Sequence, residues 1–265
     1  MHKGRKLLAV LLALMLMTAL LGIAGCGGGG GGTSKYETIE SGKLLCGSET
    51  SFPPFEYVEG GTIKGFDVDL MAAIAKEMGL TSEFMSEGFD TLIPTLKAGG
   101  KFDVIASGMT ISDERKQEID FSDPYIDANL SIAMRASDTY TDPASLSGKK
   151  VGAQAGTTGL DWANENLKPA GASVIEFKTS TDALNALKAG NVDAFVNDLP
   201  VTAYLITSSG SSDVKIVKEI ATGDQYGFGV SKSNPDLLKG INDALKTLKD
   251  NGEYDKIYQT WFGAE

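Results

Sequence analysis

Apolar positions along the chain fall into three rhythms. Leu7–Leu21 is an almost unbroken apolar run behind the basic stretch His2–Lys6. Short apolar runs such as Lys43–Gly47 (KLLCG) and Phe102–Ala106 (FDVIA) have the length of buried strands. Asp67–Gly79 (DVDLMAAIAKEMG) carries apolar residues at helical spacing and ends on glycine, and Asp90–Gly100 (DTLIPTLKAGG) reads the same way. Strands that alternate with helices predict an α/β fold on a mainly parallel sheet.

The pattern occurs twice. SGKLLCGSET from Ser41 is echoed by SGKKVGAQAGT from Ser147, and LKAGGKFDVIA (Leu96–Ala106) by LKAGNVDAFV (Leu187–Val196), in the same order. Each copy is a strand, helical material, a helix ending in Lys-Ala-Gly and a further strand, which predicts two similar α/β lobes. In open parallel sheets a ligand lies beyond the carboxyl ends of the strands. The segments at those ends are GSETSFPPF, SGMTISDER, QAGTTG and NDLP, rich in Gly, Ser and Thr, with Glu49, Arg115 and Asp198 as charges. They suit a small polar ligand carrying both signs of charge.

The first apolar run has a different meaning. A basic start, an apolar stretch and Ile23-Ala24-Gly25-Cys26 resemble a bacterial lipoprotein signal peptide over residues 1–25, with Cys26 the acylated first residue of the mature chain. Residues 26–40, opened by Gly27–Gly32, would be a flexible spacer between lipid and domain. An uncleaved anchor is the alternative, since the run approaches the ~20 residues that span a bilayer. Without Lys3, Arg5 and Lys6, 21 basic residues face 35 acidic ones, a net charge of −14. So acidic a chain, with no basic patch, argues against nucleic acid and anionic lipid as partners. After Cys26 only Cys46 is left, which excludes an internal disulfide and reads as a small buried core residue. The only histidine, His2, lies in the leader, so the mature chain has no imidazole base or metal ligand. No metal or cofactor is expected.

GFDVDLMAAIAKEMG (Gly65–Gly79) closely resembles the signature of the bacterial solute-binding proteins for polar amino acids, family 3. The likeness continues through FDTLIPTLKAGGKFDVIASGMTISDERKQEIDFSDPY (Phe89–Tyr125) and NGEYDKIYQTWFG (Asn251–Gly263), and so covers essentially Ser41 to Gly263. The resemblance implies two Rossmann-like lobes joined by a two-strand hinge, the periplasmic binding protein-like fold of type II. Lobe 1 would hold 41–124 and 226–265, lobe 2 would hold 129–223, and the hinge would be 125–128 and 224–225. It also implies that the chain holds a free amino acid between the lobes and delivers it to an ABC permease with its ATPase. Such a protein would work outside the cytoplasm as a monomer, tethered to the membrane by its lipid.

Residue by residue, Arg115 resembles the family's clamp on the ligand carboxylate, a planar fork of donors. Gly108 would add a backbone N–H, Thr110 a hydroxyl and Ser107 a further polar contact. The plainer alternative for Arg115 is a surface pair with Asp113 or Glu118. Asp198 would accept the α-ammonium from the other lobe, or else cap a helix starting near Pro200. Phe52 and Phe89 would sandwich the ligand's side chain unless they are ordinary core aromatics. Thr157 and Thr158, behind Gly156, would offer N–H groups at a helix start, or simply cap it. Glu49 and Gln154 would set specificity. Glu49 stands where many relatives have aspartate, and its charge beside two aromatics favours arginine or lysine, with glutamine open. A dehydratase of the same fold, with Glu49 as its acid, and a ligand sensor are the competing functions.

Overall fold

The computed structural model describes residues 35–208 and 212–263. The expectations about residues 1–25, Cys26 and the spacer up to residue 34 fall outside the described residues; the end of the expected spacer is instead part of the domain, with Tyr36 buried in the core and the Ile39 N–H donating to Asp103 Oδ1 at 2.8 Å.

Lobe 1 opens with β1 (Lys43–Ser48), β2 (Ser51–Phe52), β3 (Glu56–Glu59), β4 (Thr62–Lys64), α1 (Phe66–Glu77) and β5 (Thr81–Ser86). A 3-10 turn (Phe89–Thr91) leads into α2 (Leu92–Ala98), then β6 (Val104–Ile105), α3 (Asp113–Glu118) and β7 (Asp120–Phe121). The chain leaves through β8 (Ile126–Asp127). Lobe 2 holds β9 (Leu130–Arg135), β10 (Lys150–Gln154), α4 (Thr158–Asn166), β11 (Ser173–Phe177), α5 (Ser180–Lys188), β12 (Ala194–Asp198), α6 (Leu199–Ser208) and β13 (Val214–Ile220). It returns through β14 (Gln225–Tyr226) to β15 (Gly229–Val230), α7 (Pro235–Asp250) and α8 (Glu253–Phe262).

The lobes are each built on a five-stranded sheet, β5-β1-β6-β15-β7 and β11-β10-β12-β9-β13. In the first, β1 runs parallel to β5 and β6; in the second, β10 runs parallel to β11 and β12. β8 and β14 pair antiparallel between the lobes, Gln225 opposite Asp127 and Tyr226 opposite Ile126. The chain therefore crosses twice.

The continuous apolar runs read from sequence are central strands covered on both faces. Period-2 alternation sorts their side chains. Leu44, Cys46 and Val104 join Leu70, Ile74, Leu237 and Ile241 under α1 and α7, while Leu45 and Ile105 join Leu92, Leu96 and Phe102 on the other face. Cys46 is fully buried, a core residue as expected. In lobe 2, Val151, Ala194 and Val196 pack with Ala163 and Leu167, and Phe195 with Leu184 and Leu187. The segment GSETSFPPF, expected as a loop at a strand end, runs into the three-stranded β2-β3-β4 meander, turned at Gly60 and Gly61 with φ of 59° and 80°.

Candidate functional site

Four parallel-strand ends meet across the hinge. Glu49 follows β1, Ser107 and Gly108 follow β6, Gln154 ends β10 and Asp198 ends β12. Ser107 and Gly108 follow the two-residue central strand β6 and are buried, Ser107 bonded to Glu56 of β3 and Gly108 against the Phe52 ring of β2.

Arg115 sits on α3, whose N-cap Ser112 accepts a hydrogen bond from the Arg115 N–H at 3.2 Å. Its guanidinium turns inward. Nη1 donates to the Thr110 carbonyl at 2.8 Å and Nη2 to the Gly156 carbonyl of lobe 2 at 2.9 Å. The guanidinium lies 5.4 Å from the centre of the Phe89 ring. The surface alternative is occupied by others: Lys97 pairs with Glu118 and Lys116 with Asp113. Burial lowers the Arg115 pKa, and the negative charges of Asp198 and Asp161 oppose that. The fork thus stands at the loop leading into α4, where first-turn N–H groups favour an anion.

Thr157 is the N-cap of α4, and its hydroxyl accepts from the Leu160 N–H at 3.2 Å and donates to the Gln154 carbonyl at 2.8 Å. The capping alternative therefore describes the Thr157 hydroxyl. Thr158 Oγ1 lies 3.5 Å from Thr110 Oγ1 across the cleft. The Gly108 N–H, expected at a ligand carboxylate, instead donates to Asp67 Oδ2 at 2.8 Å. The cause is local: Gly108 has φ +46°, and a Cβ there would fall 2.9 Å from the Phe52 ring, so only glycine brings this N–H onto Asp67. Phe52 is buried and Phe89 half-buried.

Asp198, on the lobe 2 side, is buried and accepts a hydrogen bond from the Tyr226 hydroxyl. Burial pushes its pKa up to about 7, against the hydrogen bond from Tyr226 and the charge of Arg115. Gln154 has both ends of its amide in use within lobe 2: Nε2 donates to the Lys178 carbonyl at 3.2 Å and Oε1 accepts from Ser180 Oγ at 2.7 Å. Glu49 accepts from Ser51 through Oε1, while its Oε2 is buried with no hydrogen-bond partner. Burial raises the Glu49 pKa, and the hydrogen bond from Ser51 opposes that. The lobes also touch where Thr181 Oγ1 donates to the Ser51 carbonyl at 3.1 Å.

Three participants escaped the sequence reading. Glu56 is fully buried; its Oε1 accepts from Ser107 Oγ at 3.0 Å and its Oε2 has no partner. Asp67 is fully buried and accepts from the Tyr125 hydroxyl at 2.8 Å as well as from Gly108. Burial pushes Asp67 up to about 7, and burial with the charges of Asp67 and Glu49 raises Glu56 well above the carboxylate range. The third is Tyr226. A glutamate directly after the aromatic run FPPF was the available signal for Glu56. Among the described residues, no three His, Cys, Asp or Glu side chains are grouped to hold a metal ion.

Two α/β lobes with facing strand ends and a double crossing define a periplasmic binding fold of type II. The chain belongs to the bacterial extracellular solute-binding proteins, family 3, whose family model matches residues 44–264. It is similar to an arginine-binding periplasmic protein of Mannheimia haemolytica, 37% identical over 82% of this chain and 90% of that one. Among solved structures, it resembles an ancestral arginine-binding protein bound to arginine, with a TM-score of 0.80, 43% identity and coverage of 84% and 99% of the two chains. The same description bound to glutamine gives 0.78, 42%, 85% and 100%. An ancestral amino acid-binding protein described as a precursor of cyclohexadienyl dehydratase gives 0.75, 37%, 83% and 95%.

Proposed function

We propose that this chain binds a free basic amino acid, arginine or lysine, between its lobes and hands it to an ABC importer of permease and ATPase. The observation that carries the reading is Glu49 Oε2, a buried carboxylate oxygen with no partner in a cleft that also holds Arg115 and Asp198. A buried polar atom left unpaired costs about 1–3 kcal/mol, and a cationic side chain is the partner that removes that cost. Arg115 takes the ligand carboxylate and Asp198 the α-ammonium, with Thr110, Thr157 and Thr158 at the carboxylate end. Phe52 and Phe89 flank the side chain, and Gln154 stands beside Glu49. The groups also match: a ligand of net charge +1 brings one cationic group to each of Glu49 and Asp198 and one carboxylate to Arg115. The names of the similar proteins agree with this class, although one neighbour holds glutamine.

The protein would work outside the cytoplasm, as a monomer held to the membrane through Cys26; Cys26→Ser should release it from membranes, and unchanged attachment would make Leu7–Leu21 the anchor. Thermal shift against the twenty amino acids tests the ligand. At a hundred times Kd a ligand adds roughly 2.7 kcal/mol, which for a domain of this size is roughly 5–10 °C in Tm. Arginine or lysine should give the largest shift; a larger shift with glutamine would sink the cationic reading.

A further inference from the structure

Ser107 bridges the Glu49 backbone and the Glu56 carboxyl. Its hydroxyl accepts from the Glu49 N–H at 2.8 Å and donates to Glu56 Oε1 at 3.0 Å. A serine hydroxyl has one proton and two lone pairs. The proton goes to Glu56 and one lone pair to Glu49, which leaves a single lone pair and no donor. Ser107 is 1% exposed and Glu56 0%, so no bulk water re-sets this arrangement. The arrangement also survives protonation of Glu56. A proton on Oε2, the oxygen without a partner, leaves Oε1 an acceptor.

We propose that Glu56 is a specificity-determining positioning residue: by taking the Ser107 proton it makes Ser107 a fixed acceptor beside Glu49, so the pocket selects a side chain that donates hydrogen bonds. This rests on the reading that the ligand's side chain ends at Glu49. Glu56 touches no ligand; it acts through Ser107. Without an acceptor at position 56, the Ser107 proton has its next use in the pocket. The hydroxyl then rotates and presents a donor, which suits a ligand carbonyl and repels a guanidinium.

The experiment compares arginine with citrulline, a neutral isostere that replaces one terminal donor group with a carbonyl oxygen. Calorimetric Kd values are taken for wild type, Glu56→Gln, Glu56→Leu and Ser107→Ala, each with a melting curve. Wild type should prefer arginine. Glu56→Gln keeps an acceptor at Oε1 and should hold the preference within about threefold, whereas Glu56→Leu should cut it about tenfold or more, the worth of one hydrogen bond to a charged group. Ser107→Ala covers the case in which Glu56→Leu does not fold, and should cut the preference by a similar factor. Equal losses for both ligands in Glu56→Leu and Ser107→Ala would mean that Glu56 only supports the fold. A Glu56→Gln preference as low as that of Glu56→Leu would also overturn the proposal. If wild type fails to bind arginine, the ligand reading falls and takes this inference with it; if wild type prefers arginine and the ratio never moves, only this inference falls.

Discussion

On the lobe 2 side of the cleft, Ser131, Gln154, Ser180, Asn197 and Thr202 are buried, neutral and hydrogen-bonded within their own lobe, and the buried carboxyl there, Asp198, accepts from the Tyr226 hydroxyl. On the lobe 1 side, Glu49, Glu56 and Asp67 are buried carboxyls, and the buried side-chain atoms without a partner among the described residues are Ser48 Oγ, Glu49 Oε2 and Glu56 Oε2, all on this side. The lobes share one strand-and-helix plan, so architecture does not explain the difference. A satisfied neutral network is a rigid frame; a half-satisfied charged one is destabilising until something completes it. Lobe 2 therefore reads as the wall that closes, and lobe 1 as the surface that holds the drive for binding.

The largest effect should come from Arg115→Ala. Removing one member of a desolvated ion pair costs roughly 2–5 kcal/mol, hence about 30-fold or more in Kd. The loss should be similar for every α-amino acid, since all share the carboxylate. Arg115→Lys should restore only part, because an ammonium lacks the planar fork. Near-normal affinity in a folded Arg115→Ala protein, by calorimetry, would remove the clamp from lobe 1.

Glu49→Gln comes next and separates binding from stability. Arginine should lose about 10- to 100-fold, in line with about 1.5–3 kcal/mol for a hydrogen bond to a charged group, and glutamine much less. The ligand-free protein should melt higher, because the buried unpaired charge is gone. Equal losses for both ligands would take Glu49 out of specificity.

The third test uses pH. Asp198 has a folded pKa of about 7, above its unfolded value, because of burial. Between the two values the folded state binds the extra proton, so ligand-free stability rises as pH falls from 7 towards 4 and declines as pH rises through 7. Binding runs the other way. An ammonium ligand needs the ionised form, so affinity should fall by up to about tenfold per pH unit below 7. Tyr226, Arg115 and Asp224 are the neighbours that set this titration. Asp198→Asn should flatten the affinity profile and leave in the stability profile only the part that Asp67, also raised to about 7 by burial, contributes; if the wild-type melting temperature and affinity move together with pH, Asp198 is not the titrating group.

These contrasts were unevenly legible in the sequence. The fold class was visible because it depends on local pattern: KLLCG and FDVIA could only be buried strands, and the Lys-Ala-Gly helix ends recur in order. Glu49, Arg115 and Asp198 were visible as charges in small-residue loops at strand ends. Glu56 and Asp67 were not. Each looks like a polar residue at the edge of an element, and its burial is set by a partner far along the chain, Ser107 for Glu56 and Gly108 and Tyr125 for Asp67. The same distance hid the use of the Gly108 N–H. Helix α2 also starts two residues later than its pattern suggested, because Phe89–Thr91 forms a 3-10 turn.

The smallest effect on binding should come from the frame itself. Thr202 Oγ1 donates to the Asp198 carbonyl at 3.0 Å, and it lies 3.0 Å from Ser131 Oγ and 3.4 Å from Asn197 Nδ2. Thr202→Val keeps the shape and removes the hydroxyl, so the Ser131 and Asn197 groups lose a partner inside a dry lobe. That should cost about 1–3 kcal/mol and lower Tm by roughly 2–10 °C. The Asp198 carboxylate is held by Tyr226 instead, and the hydroxyl meets only its backbone carbonyl. Kd for arginine should therefore stay within about threefold, and the arginine-to-glutamine ratio should not move. This is the inverse of Glu49→Gln, which raises stability and loses selectivity. A Thr202→Val protein that melts normally but changes its ligand preference would place the selecting network in lobe 2 and reverse the assignment of wall and drive.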